Sequence, residues 1–316
     1  MYVAPPFSHA TSAFGVALFV TVWLHVRRRW SPGGMFALGA CAALLAMIRE
    51  QDVFLALGPA FDFALAVSTR NSQLPTPKAS SLGWLATAGA GFAGFVVAYL
   101  PQLIAYNALN GYPGPAEHVA RKMYWYSPHG LQVLFSPHHG LVFWTPLVLL
   151  SIVGLIVLPV GRLKAASTGA VPAVGGGFSR PDTRRIALSM LVMVASQVYV
   201  AGSVASWTVA GAFGQRRFVC LTPVLVVGLA ALWRARPERP AYARILAGVV
   251  LICVWWNIAL MAQFATNLMD RQRLEPGRNV YHAFVTLPRM APSLAYRYLV
   301  DRNSFYRPTE RSGEKQ

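Results

Sequence analysis

Long apolar runs separated by short polar stretches make up most of this chain. Several runs are shorter than the ~20 residues that a helix needs to cross a bilayer, but their number and spacing indicate membrane-spanning helices. The pattern predicts an all-α, polytopic membrane protein with about eight transmembrane helices, in which the extracytoplasmic loops contain short helices. The runs cover residues 11–26, 33–48, 53–67, 82–106, 141–160, 186–207, 218–233 and 245–264.

The second and third runs leave an alternative open, because together they could form one broken or re-entrant unit. Orientation follows from the basic residues of the short loops, since cytoplasmic loops are enriched in Lys and Arg. If "RRRW" after the first run is cytoplasmic, the cytoplasmic loops hold 14 basic residues and the short outer loops hold 5. We therefore predict a transmembrane domain at 1–264 with a flexible linker at 161–185. A polar C-terminal tail follows at 265–316 and falls outside the cytoplasm.

Composition excludes a soluble domain. The chain is 55% hydrophobic and only 12% charged, whereas soluble domains carry about 25% charged residues. Its formal charge of +17 is spread between the apolar runs and forms no basic face, so we expect membrane lipids and not nucleic acid as partners. The three cysteines lie inside apolar runs without metal-ligand spacing, and we expect neither a metal nor a cofactor.

The "REQD" sequence interrupts the apolar pattern between the second and third runs. Arg49, Gln51 and Asp52 would lie either at the rim of an outward-facing cavity, where they bind a polar ligand, or in a polar turn with an Arg–Asp pair. Asp62 lies inside the third run, where a charge is costly. We expect it to face inward with a functional or structural role, although no matching base is evident within the membrane.

Residues 107–140 form the largest polar and aromatic insertion between the runs. Aromatic rings stack on the apolar faces of sugars, and histidine or arginine can hold phosphate. His138 and His139 are candidates for this role. A metal is not indicated, because no cysteine or paired carboxylate joins the two histidines.

Arg216 and Arg217 stand immediately before the seventh run, on the side predicted to be extracytoplasmic. They either extend to lipid headgroups or neutralise the phosphate of a lipid ligand. Guanidinium is permanently charged and presents a planar fork to phosphate oxygens. The helix expected to follow would also favour an anion at its N-terminus, and Gly211 and Gly214 would allow close approach of the backbone.

Four stretches together resemble one enzyme family: "PPFSHATSAF", "GACAALLAMIREQD", "LFSPHHGLVFWTPLVLL" and "GAFGQRRFVCLTPVLVVGLAAL". They are similar to family 39-like membrane glycosyltransferases of the GT-C superfamily, relatives of protein mannosyltransferases and aminoarabinose transferases. The resemblance implies many transmembrane helices around a cavity open to the extracytoplasmic side. It also implies transfer of a sugar, with inversion, from a polyprenyl-phosphate-linked donor to an extracytoplasmic acceptor. The location implied is the bacterial inner membrane.

The resemblance carries over four donor-binding candidates, because His9, Arg49, Gln51 and Arg216 match recurring positions. Asp52, Arg217, His138 and His139 join them from local chemistry alone. The family's catalytic base is an aspartate in the first large outer loop. No Asp or Glu precedes "SHATSAF", so we expect a fragment, a late start or a degenerate paralogue whose catalytic residue is unknown.

Two other functions stay open at this point. The chain could be a transporter or flippase for a lipid-linked or anionic solute, or a non-catalytic membrane paralogue. Transporters place ion-coupling charges near the middle of the membrane and often contain internal repeats. Here Asp62 is the one clear intramembrane acid and no long repeat is visible. The identities of the sugar and the acceptor do not follow from the sequence.

Overall fold

A computed structural model describes residues 8–68, 81–117, 121–158, 180–209, 213–235 and 239–302. Within these ranges the structure is helical apart from one isolated antiparallel bridge between Met123 and Val204. The predicted all-α class is therefore confirmed for the described part of the chain. The α-helices are α1 (His9–Val26), α2 (Pro32–Ile48), α3 (Leu57–Ser68), α4 (Ser81–Asn110), α5 (Gly130–Phe135), α6 (Leu141–Trp144), α7 (Leu147–Val157), α8 (Arg180–Ser203), α9 (Thr222–Ala235), α10 (Pro240–Ala265), α11 (Pro276–Tyr281) and α12 (Leu287–Val300).

Helix length and composition support membrane insertion. Two 3₁₀ helices, Glu50–Ala56 and Arg216–Leu221, lead directly into α3 and α9. Pro32–Ile48 and Leu147–Val157 are apolar but shorter than the other candidates. Six helical elements of the described chain are long and apolar enough to cross a membrane: His9–Val26, Glu50–Ser68, Leu82–Asn110, Asp182–Ser203, Arg216–Ala235 and Pro240–Ala265. The number of eight crossings therefore stays a prediction.

The first three helices run back and forth along one another. Gly15 early in α1 faces Leu45 late in α2, and Gly34 early in α2 faces Val26 at the end of α1. α2 starts sharply because Pro32 occupies its first turn and the Ser31 hydroxyl accepts a hydrogen bond from the Gly34 N–H at 3.2 Å. α2 therefore returns along the length of α1.

α3 then runs parallel to α1, since Asp52, just before it, contacts Ser12 and Asp62 within it contacts Arg27. α2 and α3 therefore run in opposite directions beside α1, and the alternative of a single re-entrant unit for the second and third runs stays a prediction. We call the end of the bundle that holds His9 and Arg49 the Arg49 end, and the opposite end, which holds Arg27 and Arg185, the Arg27 end.

Glycines allow two helix pairs to pack with their backbones in contact. A Cβ atom on Gly39 of α2 would lie 1.9 Å from the Gly91 carbonyl oxygen of α4, and one on Gly154 of α7 would lie 1.8 Å from the Gly228 carbonyl oxygen of α9. Small residues at such crossings are typical of membrane helices, which associate through close van der Waals contact. α4 continues through Pro101 without interruption.

Asp62 is the centre of a buried ionic cluster at the Arg27 end. Its carboxylate accepts hydrogen bonds from Arg27 Nε at 2.8 Å, Arg185 Nε at 3.0 Å and Trp23 Nε1 at 3.1 Å. A second carboxylate, Asp182, lies 3.6 Å from Arg27 NH2. The sequence pattern places Arg27 and Arg185 in predicted loops, so it indicates no basic partner for Asp62 within the membrane. They extend from the ends of their helices and neutralise the aspartate.

Three predicted boundaries are corrected by the structure. The fifth run is broken at Thr145 and Pro146, which separate α6 from α7. α8 begins at Arg180, so the last residues of the predicted 161–185 linker are helical, while residues 161–179 lie outside the described residues. α8 also ends at Ser203, before the predicted end of the sixth run at residue 207.

The described part of the C-terminal tail is largely helical and packs on the bundle. Ala283 and Leu287 form a buried apolar cluster with Ala259 of α10. The segment between α10 and α11 contacts the insertion that precedes α6, because the Leu274 N–H donates to the Pro137 carbonyl at 3.0 Å. This contact places the start of the tail on the same side of the bundle as residues 136–140.

Candidate functional site

His9 and Arg49 meet at the Arg49 end of the bundle. His9 is the first residue of α1, and its Nδ1 lies 3.3 Å from Arg49 NH1. Arg49 has an extended backbone, with φ −152° and ψ 114°, where α2 stops and the 3₁₀ helix starts. This break points its side chain toward His9. Gln51 Oε1 forms a long contact of 3.5 Å with Arg49 NH2.

Asp52 lies below these residues and is fully buried. Its Oδ2 accepts a hydrogen bond from the hydroxyl of Ser12, three residues after His9 on α1. Arg49 interacts with the carboxylate electrostatically, and the thiol of Cys220 lies beside it. Asp52 Oδ1 has no hydrogen-bond partner among the described residues. The carboxylate is therefore held beneath the cationic groups and is not exposed to solvent.

The "GQRR" turn reaches the same end from the other half of the chain. Arg217 donates from NH1 to the Ser206 carbonyl at 2.9 Å and from NH2 to the Ser206 hydroxyl at 3.1 Å. The Arg217 carbonyl accepts from Gln197 Nε2 of α8 at 2.8 Å, and Gln215 Nε2 donates to the Trp207 carbonyl at 2.8 Å. α8 and the residues that follow it thus fix the position of the turn.

One detail of this turn differs from the sequence prediction and another adds to it. Gly214 takes the left-handed conformation, with φ +56°, which glycine adopts without strain, while the close backbone approach predicted for it stays a prediction. Gly211 lies outside the described residues. Arg216 opens a short 3₁₀ helix, and the α-helix begins only at Thr222, so the expected α-helical N-terminus does not directly follow the arginines.

The two halves of the chain converge electrostatically at His9. Arg49, Arg216 and Arg217 are all close enough to interact with its ring, and Arg49 and Arg216 also act on Arg217. Of the neighbouring carboxylates, Asp52 is bonded to Ser12, and Glu50 accepts a hydrogen bond from the Tyr106 hydroxyl. Among the described residues the three arginines therefore outnumber these two carboxylates. Chemically, such a cluster attracts an anion with several oxygens.

Aromatic rings border this cationic cluster. Trp125 lies 5.6 Å from Phe54 and 6.1 Å from Tyr199 between ring centroids. His129 stacks on Trp207 at 5.4 Å, one residue beyond the Ser206 that holds Arg217. Part of the predicted 107–140 insertion thus lies next to the site. His118 of that insertion lies outside the described residues.

His138 and His139 lie between the tail and the "GQRR" turn. His138 is exposed and its Nδ1 lies 3.2 Å from the Gln272 carbonyl. His139 is fully buried, with φ +63°, and stacks on Trp144 at 4.7 Å. Its ring also interacts with the backbone of Gly214, the first residue of the turn. The structure therefore places His139 beside the turn that carries Arg216 and Arg217, and His138 at the tail.

The His139 ring is chemically unusual. Neither ring nitrogen has a hydrogen-bond partner of good geometry among the described residues. Burial lowers its pKa, with a smaller contribution from the charge of His138. The backbones of Arg271 and Gly214 and the Asp270 charge oppose this shift of the pKa. The ring is therefore held in the neutral form.

Several residues of the site were not found by sequence reasoning. Ser12, Gln197 and Ser206 position Asp52 and Arg217. A serine or glutamine near the end of an apolar run carries no signal of its own. The spacing of His9 and Ser12, three residues apart on one helix face, was the one available indication for Ser12.

Comparison of the chain with models of known protein families, with curated proteins and with solved structures finds no match. Among the described residues no group of three or more His, Cys, Asp or Glu side chains is arranged to hold a metal ion. The family resemblance based on the four sequence stretches therefore stays a hypothesis.

Proposed function

We propose that the chain is a multi-pass membrane glycosyltransferase of the GT-C type, or the donor-binding part of one, whose Arg49 end binds the phosphate of a polyprenyl-phosphate-linked sugar. One observation carries the proposal. Arg49 on one side and Arg216 and Arg217 on the other converge on His9 from segments far apart in sequence. The location proposed with it is the bacterial inner membrane, with eight crossings.

A lipid phosphate suits this cluster better than a soluble anion. The arginines lie at the ends of apolar helices, where a lipid headgroup would be placed and its chain could follow the helix surfaces. Guanidinium remains charged at this boundary and binds phosphate oxygens through two parallel hydrogen bonds. Arg217, already oriented by Ser206, loses little side-chain freedom on binding.

The neighbouring aromatic rings suit the sugar. Trp125, His129 and Trp207 lie beside the cationic cluster, and the faces of such rings pack on the C–H faces of sugars. Sugar transfer to a hydroxyl also needs a base for the acceptor proton. Asp52 is fully buried and bonded to Ser12, so we assign it to charge balance beneath the arginines and leave the catalytic base unassigned.

The transporter alternative is less well supported. Its best intramembrane candidate, Asp62, is neutralised by Arg27 and Arg185, and a carboxylate held by two arginines is poorly suited to exchanging a coupling ion. Asp52, the other buried acid among the described residues, lies beneath the Arg49 end.

Direct binding of a lipid phosphate tests the proposal. We expect the full chain in detergent to bind polyprenyl phosphate, and Arg216→Gln and Arg217→Gln each to weaken this affinity by roughly tenfold or more, since hydrogen bonds to charged groups contribute about 1.5–3 kcal/mol. Arg184→Gln serves as the control, because Arg184 is exposed near the Arg27 end.

Equal affinity in all these proteins would remove the phosphate assignment. If binding follows the prediction, release of labelled sugar from the lipid donor onto an acceptor separates the enzyme from the alternatives. Movement of intact donor across a vesicle without sugar release would favour the flippase.

A further inference from the structure

The tail contains a helical stretch that lies close to the end of α10. α11, one π-helical turn at His282–Thr286 and α12 follow one another without a break. Ala283 and Leu287 pack against Ala259 of α10. Ala259 is six residues before the end of α10 at Ala265, about 9 Å along the axis at 1.5 Å per residue. The stretch therefore packs within the last two turns of a candidate membrane span, where an interfacial helix, whose apolar face is buried about 5–10 Å deep, would lie.

α12 has three distinct faces. Leu287 and Leu294 face α10. A second face repeats at helical spacing through Pro288, Pro292 and Leu299, and it is exposed, with Leu299 81% accessible. The third face carries Arg289, Ser293 and Arg297 at four-residue intervals. With Leu287 turned toward α10, the basic face lies beside the exposed apolar face, about a third of a turn around the helix.

The composition of residues 276–300 indicates what covers the exposed apolar face. The stretch contains no Asp or Glu, and its basic side chains lie beside the apolar face. Tyr281, Phe284, Tyr296 and Tyr298 are exposed along the same stretch, and tyrosine is enriched where a membrane meets water. A second copy of this chain docked on the same face would bring like charges together. A membrane with acidic headgroups offers acyl chains to the exposed apolar face and negative charge to the basic face.

We propose that residues 276–300 form an interfacial helix that lies in the plane of the membrane surface and binds acidic phospholipid headgroups. Its apolar face enters the acyl region, and Arg289 and Arg297 lie at the level of the phosphates. This site is separate from the Arg49 cluster, and the proposal does not depend on sugar transfer.

Spin labels on two faces of α12 test the insertion. In a full-length background with Cys41, Cys220 and Cys253 replaced by alanine, single cysteines are placed at Leu299 on the apolar face and at Ser293 on the basic face. Ala295→Cys, exposed and four residues before Leu299 on the same face, provides a second apolar-side position if Leu299→Cys does not fold. The proteins are reconstituted in nanodiscs of phosphatidylcholine with about a third phosphatidylglycerol, a strongly anionic surface.

The label at Leu299→Cys should be accessible to oxygen but shielded from a water-soluble nickel chelate, and the label at Ser293→Cys should show the opposite. Equal access of the chelate to both positions overturns the proposal. Shielding of Leu299→Cys from both reagents also overturns it, because protein would then cover the face, either a second copy or another segment of the chain.

Removal of the basic face tests the headgroup assignment. Because each arginine near an anionic surface contributes about a fivefold preference, Arg289→Gln with Arg297→Gln should lower the ratio of inserted to water-exposed label by about 25-fold. The double lysine variant should retain most of the insertion. Arg121→Gln, which removes one charge from an exposed loop position, should have no effect. Insertion that is the same with and without phosphatidylglycerol overturns the assignment to acidic headgroups.

Discussion

His139 illustrates at the scale of one residue how burial selects a protonation state. Its ring lies against Trp144 with both nitrogens lacking a hydrogen-bond partner among the described residues, and burial lowers its pKa. The unfolded chain binds a proton at this position below about pH 6.5, the ordinary pKa of histidine, whereas the folded chain resists it. The contribution of His139 to the free energy of unfolding is therefore complete above that pH. It is lost as the pH falls toward the lowered pKa that His139 has in the folded chain.

We expect the unfolding temperature of the full chain in detergent to fall as the pH is lowered from 7.5 to 5, and His139→Phe to reduce that fall. Phenylalanine keeps the stacked ring but cannot titrate. The comparison is between pH dependences and not absolute stabilities, because any residue other than glycine is strained at φ +63°. His25→Gln, at an exposed position near the end of α1, should leave the dependence as it is in the parent. An unaltered pH dependence in His139→Phe would contradict the assignment.

At this scale the sequence predicted some residues of the site and misplaced others. The family resemblance indicates His9, Arg49, Gln51 and Arg216, and local chemistry adds Asp52 and Arg217. The structure brings these six residues to one end of the bundle. His138 and His139 have the same local chemistry but pack against the tail and α6, with His139 also beside Gly214 of the "GQRR" turn. Local chemistry cannot predict such a tertiary contact, because it depends on where the tail folds.

At the scale of elements, Asp62 links three helices. It lies in α3 and binds Arg27 just after α1 and Arg185 in α8. Asp62→Ala would leave two arginines without their buried counter-ion. Breaking a buried pair in this way costs about 3–5 kcal/mol, so we expect a large fall in the unfolding temperature, followed by tryptophan fluorescence in detergent.

The control for Asp62→Ala is Glu117→Ala, which removes an equally short ion pair to Arg121 at an exposed position. Exposed pairs contribute little, so this variant should unfold close to the parent temperature. Equal effects of the two substitutions would show that the Asp62 cluster is not a structural link between the helices.

The elements themselves were the most predictable feature of the chain. Uninterrupted apolar runs give six helices that are long enough to span a membrane, with ends within a few residues of those predicted. The break at Thr145 and Pro146 was missed because the composition of the run continues across it. The helices of the tail were also missed. Only one face of α12 packs on a neighbouring helix and the rest is exposed, so its sequence resembles that of a polar segment.

At the scale of the whole molecule, two clusters of polar chemistry lie at opposite ends of the bundle. α1 connects them, with His9 at its first residue and Arg27 just beyond its last. These residues are 18 positions apart, about 27 Å along a helix, which is close to the ~30 Å thickness of the hydrocarbon core. The Asp62 cluster and the arginine cluster therefore fit the two opposite interfaces of one membrane.

This arrangement predicts which positions react from each side of the membrane. In cells that express a cysteine-light full chain, an impermeant maleimide should label Tyr126→Cys, a fully exposed position in the insertion whose neighbour Trp125 packs near the Arg49 end. Arg29→Cys, exposed beyond α1 at the Arg27 end, should react only after the membrane is permeabilised.

The outcome of this labelling bears on more than topology. Polyprenyl-linked sugars used outside the cytoplasm present their phosphate at the outer interface, so the proposed function requires the Arg49 end to face that side. The reverse labelling pattern would leave the helical bundle intact but place the three arginines at the cytoplasmic surface, where basic residues are common without any ligand. The donor-binding proposal would then lose its physical basis, whereas the Asp62 cluster and the interfacial helix would remain to be tested on their own terms.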